Sequence, residues 1–365
     1  MKKTLLAIAA LAATSGAFAQ SVTLYGVLDA SVESVKGGST TTRLSSDNLS
    51  SSRVGVKGSE DLGDGMHANF ALETNVKVDT GAQGNTARFF DRAAWLGLQG
   101  GFGEVRVGRI DSSIGDIAGN VLSAQAYDDF KIANTRAGNA YRRVDNSITY
   151  YLPTFLQGLS AQLQYATAAA GFKTTGGIDT AVAGTEAAGV DAGKSYGMSV
   201  KYVAGPFSAG LGYLSAKDEQ TQLAGNQKGN AALLYAGYDF GVVKLTGYYD
   251  SETSLASANT ALVAGTNSKR FQLYGAKLAV PFSTKFVLTT SLSKGKHVNG
   301  LDADNNVTFV SVKGVYELSK RTSLYGMVGY IDNSAQSNLV VAAAPGTAVL
   351  DKNSHGIAFG IRHAF

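Results

Sequence analysis

Few residues in this chain are spaced for covalent chemistry. The four histidines, His67, His297, His355 and His363, are scattered, and no two stand in the H-x-x-x-H spacing of a helical metal site. There is no cysteine, which excludes disulfides and thiolate metal ligands. No G-x-S-x-G elbow presents a nucleophile. Gly101-Phe102-Gly103 carries part of a dinucleotide fingerprint but falls in a turn between strand-like runs, not ahead of a helix. What remains is fixed charge. Arg53 shares a strand face with Lys57, opposite Val54 and Val56; Arg92 alternates against Trp95; Arg143 shares parity with Asp145 and Ser147. Between them, the long segment 111–143 holds Asp111, Asp116, Asp128 and Asp129, then Lys131, Arg136, Arg142 and Arg143. Guanidinium and carboxylate groups arranged around water act on dissolved ions through their field alone.

The elements that would position these charges alternate with period two. In 356–365 the large apolar groups fall at Ile357, Phe359, Ile361 and Phe365, with small or charged groups between. Met66, Ala68, Phe70 and Leu72 oppose His67, Asn69, Ala71 and Glu73, and Val310 and Val312 are set against Ser311 and Lys313. Half-buried strands read this way. Several runs reach about ten residues, the length of a tilted membrane strand, where strands of soluble sandwiches centre on about 5–6.

The N-terminus gives the destination. Lys2 and Lys3 precede the apolar run Leu5 to Ala13, and Ala17-Phe18-Ala19 is a small-residue cleavage box. That order is a secretory signal peptide over 1–19, and nine apolar residues fall short of the roughly 20 that a membrane-spanning helix requires. Its removal takes the formal net charge from +4 to +2, which offers no reason to expect nucleic-acid binding. No later stretch is apolar for 18 residues, so the exported chain 20–365 carries no transmembrane helix. The 44 Gly, 17 Tyr and 16 Phe against four Pro suit many strands joined by tight turns.

Seven short turns punctuate the runs, at 60–65, 100–104, 153–158, 205–207, 239–241, 281–284 and 319–322. Each interval holds two strands and one longer loop, and the longer loops, such as 168–193 and 251–269, are polar and rich in Gly, Ala and Thr. Seven short turns with both termini on one side predict an all-β, sixteen-stranded antiparallel transmembrane barrel. Closure removes the open edges that hydrocarbon does not tolerate. Tyr202, Phe207, Tyr238, Phe240, Phe282, Phe286 and Tyr316 gather near the short turns, as an interfacial girdle would.

At this level of detail the chain resembles the general trimeric porins of Gram-negative bacteria, in their beta-proteobacterial branch. The resemblance rests on Val22-Thr23-Leu24-Tyr25-Gly26, on the run from Ser52 to Gly63, on Gly97-Leu98-Gln99-Gly100-Gly101-Phe102-Gly103 with Val105-Arg106-Val107-Gly108-Arg109, on Asp145-Asn146-Ser147-Ile148, on Leu318-Ser319-Lys320-Arg321-Thr322, and on the terminal Gly360 to Phe365. These cover the chain in order, end to end. The resemblance implies a homotrimer in outer-membrane lipid, a loop at about 111–143 folded inward to narrow the pore, and arginines of two strands, here Arg53 and Arg92, lining the constriction with Arg143. Asp116, Asp128 and Asp129 would face them from the loop. Some members carry a Lys after the Leu-Tyr-Gly of the first strand, where this chain has Val27, so its basic cluster lacks that group. The terminal Phe365 would be read by the outer-membrane assembly machinery. The expected function is passive diffusion of ions and small hydrophilic solutes, with weak anion preference, no enzymatic step and no cofactor. Two alternatives stay open: a substrate-specific channel, which would need an aromatic slide or a dense cationic ladder, and an outer-membrane barrel enzyme with a triad assembled in space.

Overall fold

In a computed structural model of the chain, the described residues are 21–86, 88–121, 127, 142–167, 172–175, 178–181, 194–217, 228–253, 270–298, 306–335, 337–342 and 346–365. The expected signal peptide and Asp128, Asp129, Lys131 and Arg136 lie outside them. The strands are β1 (Ser21–Lys36), β2 (Thr40–Ser46), β3 (Arg53–Gly63), β4 (Met66–Asn75), β5 (Ala93–Gly100), β6 (Gly103–Asp111), β7 (Arg143–Tyr151), β8 (Leu159–Ala166), β9 (Phe172–Thr175) and β10 (Ile178–Ala181). They continue as β11 (Ser195–Ala204), β12 (Phe207–Lys217), β13 (Lys228–Asp239), β14 (Lys244–Thr253), β15 (Arg270–Pro281), β16 (Phe286–Val298), β17 (Val307–Glu317), β18 (Thr322–Asn333) and β19 (Ser354–Ala364). Among the described residues a helix, α1 (Ser113–Val121), follows β6.

All seven expected turns separate consecutive antiparallel strands. One sheet contains every strand but the small β9–β10 hairpin, which pairs only with itself. Its 17 segments make sixteen staves, because β2 and β3 are two halves of one stave. The upper part of β1 pairs with β2 and its lower part with β3. The break between the halves bends inward where Asp29 accepts the Leu49 and Ser50 amides at 3.2 and 3.0 Å. The β1–β19 pairing, from Val27↔Ala364 to Lys36↔His355, closes the ring. Phe365 continues the seam by exchanging backbone hydrogen bonds with Gly26 at 3.0 and 3.1 Å. Its ring occupies the outer-face space that a Cβ on Gly26 would claim, so this glycine is a notch for the last side chain.

The two faces of the wall are chemically opposite. Leu24, Leu96, Leu163, Leu292 and Phe359 stand exposed, at 53–62 %, while the alternate positions bury Asp29, Ser199, Ser291 and Ser311. A soluble protein would hide the first set. Hydrocarbon around a closed sheet accounts for the inversion, because apolar groups then face lipid. The interior is not uniformly polar. On the side of β12 to β19, Leu214, Leu233, Leu273, Phe309 and Met327 point inward and are buried together with Ile114, Ile117 and Ala118 of α1, Tyr127, Leu339, Val341 and Ala342.

Candidate functional site

The opposite side of the lumen, from β1 to β7, carries most of the arginines, whereas Asp250 and Glu252 are buried on β14. Glu73 of β4 is its first node. Its carboxylate accepts from Tyr25 Oη at 2.9 Å and Arg92 Nε at 2.5 Å, with Arg53 Nε at 3.6 Å. Register explains the gathering: Tyr25 pairs with Gly55, and Gly55 with Glu73, so the tyrosine reaches Glu73 across a residue with no side chain. Arg92 lies in the bend leading into β5, one residue outside the strand, and its amide also donates to the Glu73 carbonyl at 3.1 Å.

Asp111, at the end of β6, is the second node. Arg143 Nε lies 3.0 Å and Arg142 Nε 3.8 Å from one of its oxygens. Arg92 is close enough to feel both nodes. Asp145 on β7 is a third, holding Arg109 at 2.6 Å and also Arg88. The β6–β7 register shifts between Gly108 and Ile110, and this irregularity carries Arg109 onto Asp145. Lower on the same wall, the Arg106 guanidinium is stacked between Trp95 at 4.1 Å and Tyr151 at 4.5 Å, and pairs with Glu104 at 2.7 Å. Arg362 of β19 points inward as its parity requires, and its Nε donates to Ser50 Oγ at 3.0 Å.

The segment after β6 turns into the barrel instead of rising from it. Ser112 caps α1, its hydroxyl accepting from the Gly115 amide at 2.9 Å. Gln164 on β8 clasps the turn, donating to the Asp111 carbonyl and accepting from the Ser113 amide, both at 3.1 Å. The helix lies close on β12 because Gly212 leaves room; a Cβ there would come 2.8 Å from the Ser113 carbonyl oxygen. Asp116 faces the β11 side, with Lys201 Nζ at 2.7 Å and Ser199 Oγ at 2.9 Å. Tyr127 is buried farther along, its amide donating to Val341 O at 3.0 Å and its hydroxyl to Glu33 at 3.3 Å. Burial and the Glu33 carboxylate push its hydroxyl pKa up, so it remains a donor.

Arg53, Arg92 and Arg143 thus share one inner wall, whereas Asp116 belongs to the other. Sequence reading passed over Glu73, Lys201 and Arg109 as site residues. For Glu73 the signal was available, since it has the inward parity of β4; for Arg109 it was not, because the β6 irregularity breaks parity.

The comparisons with known proteins agree with this architecture. A family model described as Gram-negative porin matches residues 7–336. The outer membrane porin protein 32 of Delftia acidovorans is 33 % identical over 380 residues, covering all of both chains. The major outer membrane protein P.IB of Neisseria meningitidis is 29 % identical, covering 96 % of this chain and all of its own. Among solved structures, the anion-selective porin from Comamonas acidovorans superposes with a TM-score of 0.74 at 27 % identity, covering 95 % of this chain and all of that one. OmpT of Vibrio cholerae, in a trimer form, shares the fold at a TM-score of 0.63 and 16 % identity, with 95 % and 100 % covered. The closed barrel, its lipid-facing exterior and the family match across 7–336 together make this chain a member of the Gram-negative porin family, a pore-forming barrel of the bacterial outer membrane.

Proposed function

We propose that this porin passes ions and small hydrophilic solutes by passive diffusion, with a weak preference for anions. The observation that carries the preference is stoichiometric: four guanidiniums, Arg53, Arg92, Arg142 and Arg143, stand on two carboxylates, Glu73 and Asp111. The cationic surplus lies on the side of the lumen that the apolar packing leaves open. Asp116, the described loop acid opposite, is held against Lys201, which weakens any field it sends across the pore. The anion-selective character named for the Comamonas acidovorans structure supports the same sign here.

In this reading α1 and the chain after it set the limiting diameter, Arg53, Arg92 and Arg143 line the constriction, and Asp128 and Asp129 modulate it. The protein is exported by a cleaved signal peptide over 1–19, works as a homotrimer in outer-membrane lipid, uses no cofactor and performs no catalysis. The terminal Phe365 serves as its assembly signal. The decisive experiment is planar-bilayer recording in a salt gradient. Stepwise, ohmic currents with a reversal potential of anion-selective sign are expected. A cation-selective sign at neutral pH overturns the preference, and turnover of a peptide or lipid without conductance overturns the pore. Saturation of conductance by one sugar or by phosphate favours the substrate-specific alternative.

A further inference from the structure

Glu73 and Asp111, the two carboxylates that share the constriction arginines, stand in different mechanical settings. Glu73 lies within β4, where its backbone is paired on both sides, with Gly55 of β3 and Ala93 of β5. Asp111 is the last residue of β6, on the rung Asp111↔Arg143 at the root of the inward segment. One residue farther in, the Ser112 amide donates to the Arg142 carbonyl at 3.0 Å. Ser112 leads into α1, and Arg142 lies on the returning limb just before β7. Arg142 is wedged between this root and the helix. Its carbonyl oxygen occupies the place of a Cβ on Gly115, and its Nη2 lies 3.6 Å from the place of one on Gly119. Its Nε faces the Asp111 carboxylate at 3.8 Å, beside the Arg143 Nε at 3.0 Å. Asp111 thus ties Arg142 across the neck of the segment, and through Arg142 it bears on α1.

The charges point to the same role. Arg92, Arg109, Arg142 and Arg143 all act on the Asp111 carboxylate. Without it, these like charges repel one another across a short distance. Three of them have anchored backbones. Arg109 is in β6, Arg143 in β7, and the Arg92 amide donates to the Glu73 carbonyl at 3.1 Å. Arg142 stands outside the strands, so it is the member that repulsion can move, and the root of the segment moves with it. Apolar contact keeps the body of α1 on the wall, while the ion pairs at its root fix how far that root reaches into the lumen.

We propose that Asp111 is a positioning residue of the constriction: its carboxylate clasps the root of the inward segment and so fixes both the aperture and the arginines behind the anion preference. The inference rests on the diffusion-pore reading. It reverses the sign expected of a plain counter-charge. Taking a carboxylate out of a cationic lumen favours anions, as loss of Glu73 would. Taking out Asp111 instead opens the root, and a wider aqueous path weakens the field of every remaining wall charge on a passing ion. The test records Asp111→Asn, Asp111→Glu and Glu73→Gln beside the parent in planar bilayers, with amide exchange of the same purified trimers. Asp111→Asn is expected to lower the anion-to-cation permeability ratio about twofold, where Glu73→Gln raises it by about as much. Its conductance should rise even in about 1 M salt, where the Debye length is about 3 Å and aperture counts for more than charge. The Gly115 and Asp116 amides should exchange about tenfold faster. Asp111→Glu, which keeps the carboxylate, should restore all three. Should Asp111→Asn fail to fold, Arg142→Gln loosens the clasp from the other side and is expected to raise conductance and exchange alike. A shift of Asp111→Asn toward anions, with the parent's conductance and exchange, makes Asp111 a counter-charge only and overturns the proposal; unchanged conductance and exchange in Arg142→Gln do the same. A parent without stepwise current, or with a cation-selective sign, is a failure of the pore reading and is seen before any variant is compared.

Discussion

At the scale of single residues, the lumen works by sharing carboxylates. Arg53 and Arg92 divide Glu73, so removing the arginines and removing the acid should push selectivity in opposite directions. A unit charge acting through water at about 8 Å biases a passing ion by roughly 0.5 kcal/mol, about twofold in permeability. Arg53→Ala/Arg92→Ala should therefore enlarge the conductance and shift the permeability ratio severalfold toward cations, as read from reversal potentials. Glu73→Gln should shift it about twofold toward anions. If both variants keep the parent's ratio, the cluster is a rim feature. Charged groups in the lumen were legible in the sequence because lipid forbids them on the other face: Arg53, Lys57 and Glu73 all obey parity. Which acid takes which arginine was not legible, since pairing depends on registers such as Gly55↔Glu73 and on the local irregularity of β6. Asp116 shows the limit from another direction: sequence puts it on the inner loop, but only the packing of α1 decides that it turns toward Lys201.

At the scale of elements, α1 is an inward prop held mainly by apolar contact. Ile114, Ile117 and Ala118 are fully buried against Leu214 and Leu233, and the polar ties at its start come from Ser112 and Gln164. Ile117→Ala leaves a cavity of a kind that costs about 2–5 kcal/mol. That loss should fall on docking of the segment more than on the barrel, whose backbone ladder it does not touch. The expected readout is increased open-channel noise and faster amide exchange in α1, with the melting of the barrel nearly unchanged; a quiet channel would show that the segment is held elsewhere. High salt should leave the prop seated, since apolar burial is not screened as ion pairs are. The prop also explains what the strand pattern could not reveal. Strands β13 and β17 carry large apolar residues on both faces, Leu233 inside and Leu234 outside, Phe309 inside and Val310 outside. Alternation separates small from large but cannot tell a lipid-facing leucine from one that meets α1. The seven turns and the staves between them were legible because tight turns demand Gly, Pro, Asp and Ser at fixed places. The break of one stave into β2 and β3, and the small β9–β10 hairpin, follow from no such demand.

At the scale of the whole molecule, the exposed apolar exterior requires a lipid host. The protein should fractionate with the outer membrane as heat-modifiable β-structure; recovery as a soluble periplasmic species would contradict the barrel. Phe365 should matter more to cells than to the purified fold. Its deletion is expected to reduce assembled trimer strongly in vivo, while the variant still refolds in detergent; equal assembly of deletion and parent would remove its recognition role. The seam where that side chain rests has a consequence in time. Val27 and Ala364 pair across 337 positions of chain, whereas every other neighbouring pair of staves can form from a hairpin or a single loop. The entropy of bringing such distant ends together must be met before their contacts return anything, and non-local strand pairing is slow for that reason. Hairpins such as β15–β16 should therefore acquire exchange protection early in refolding and the β1–β19 amides last. Gly26→Val, which fills the notch that Phe365 occupies, should lengthen that final phase and leave the earlier ones at their original rates. The rate-limiting event in making this pore would then be the meeting of its two ends, and a barrel caught before it would hold its last aromatic still uncovered.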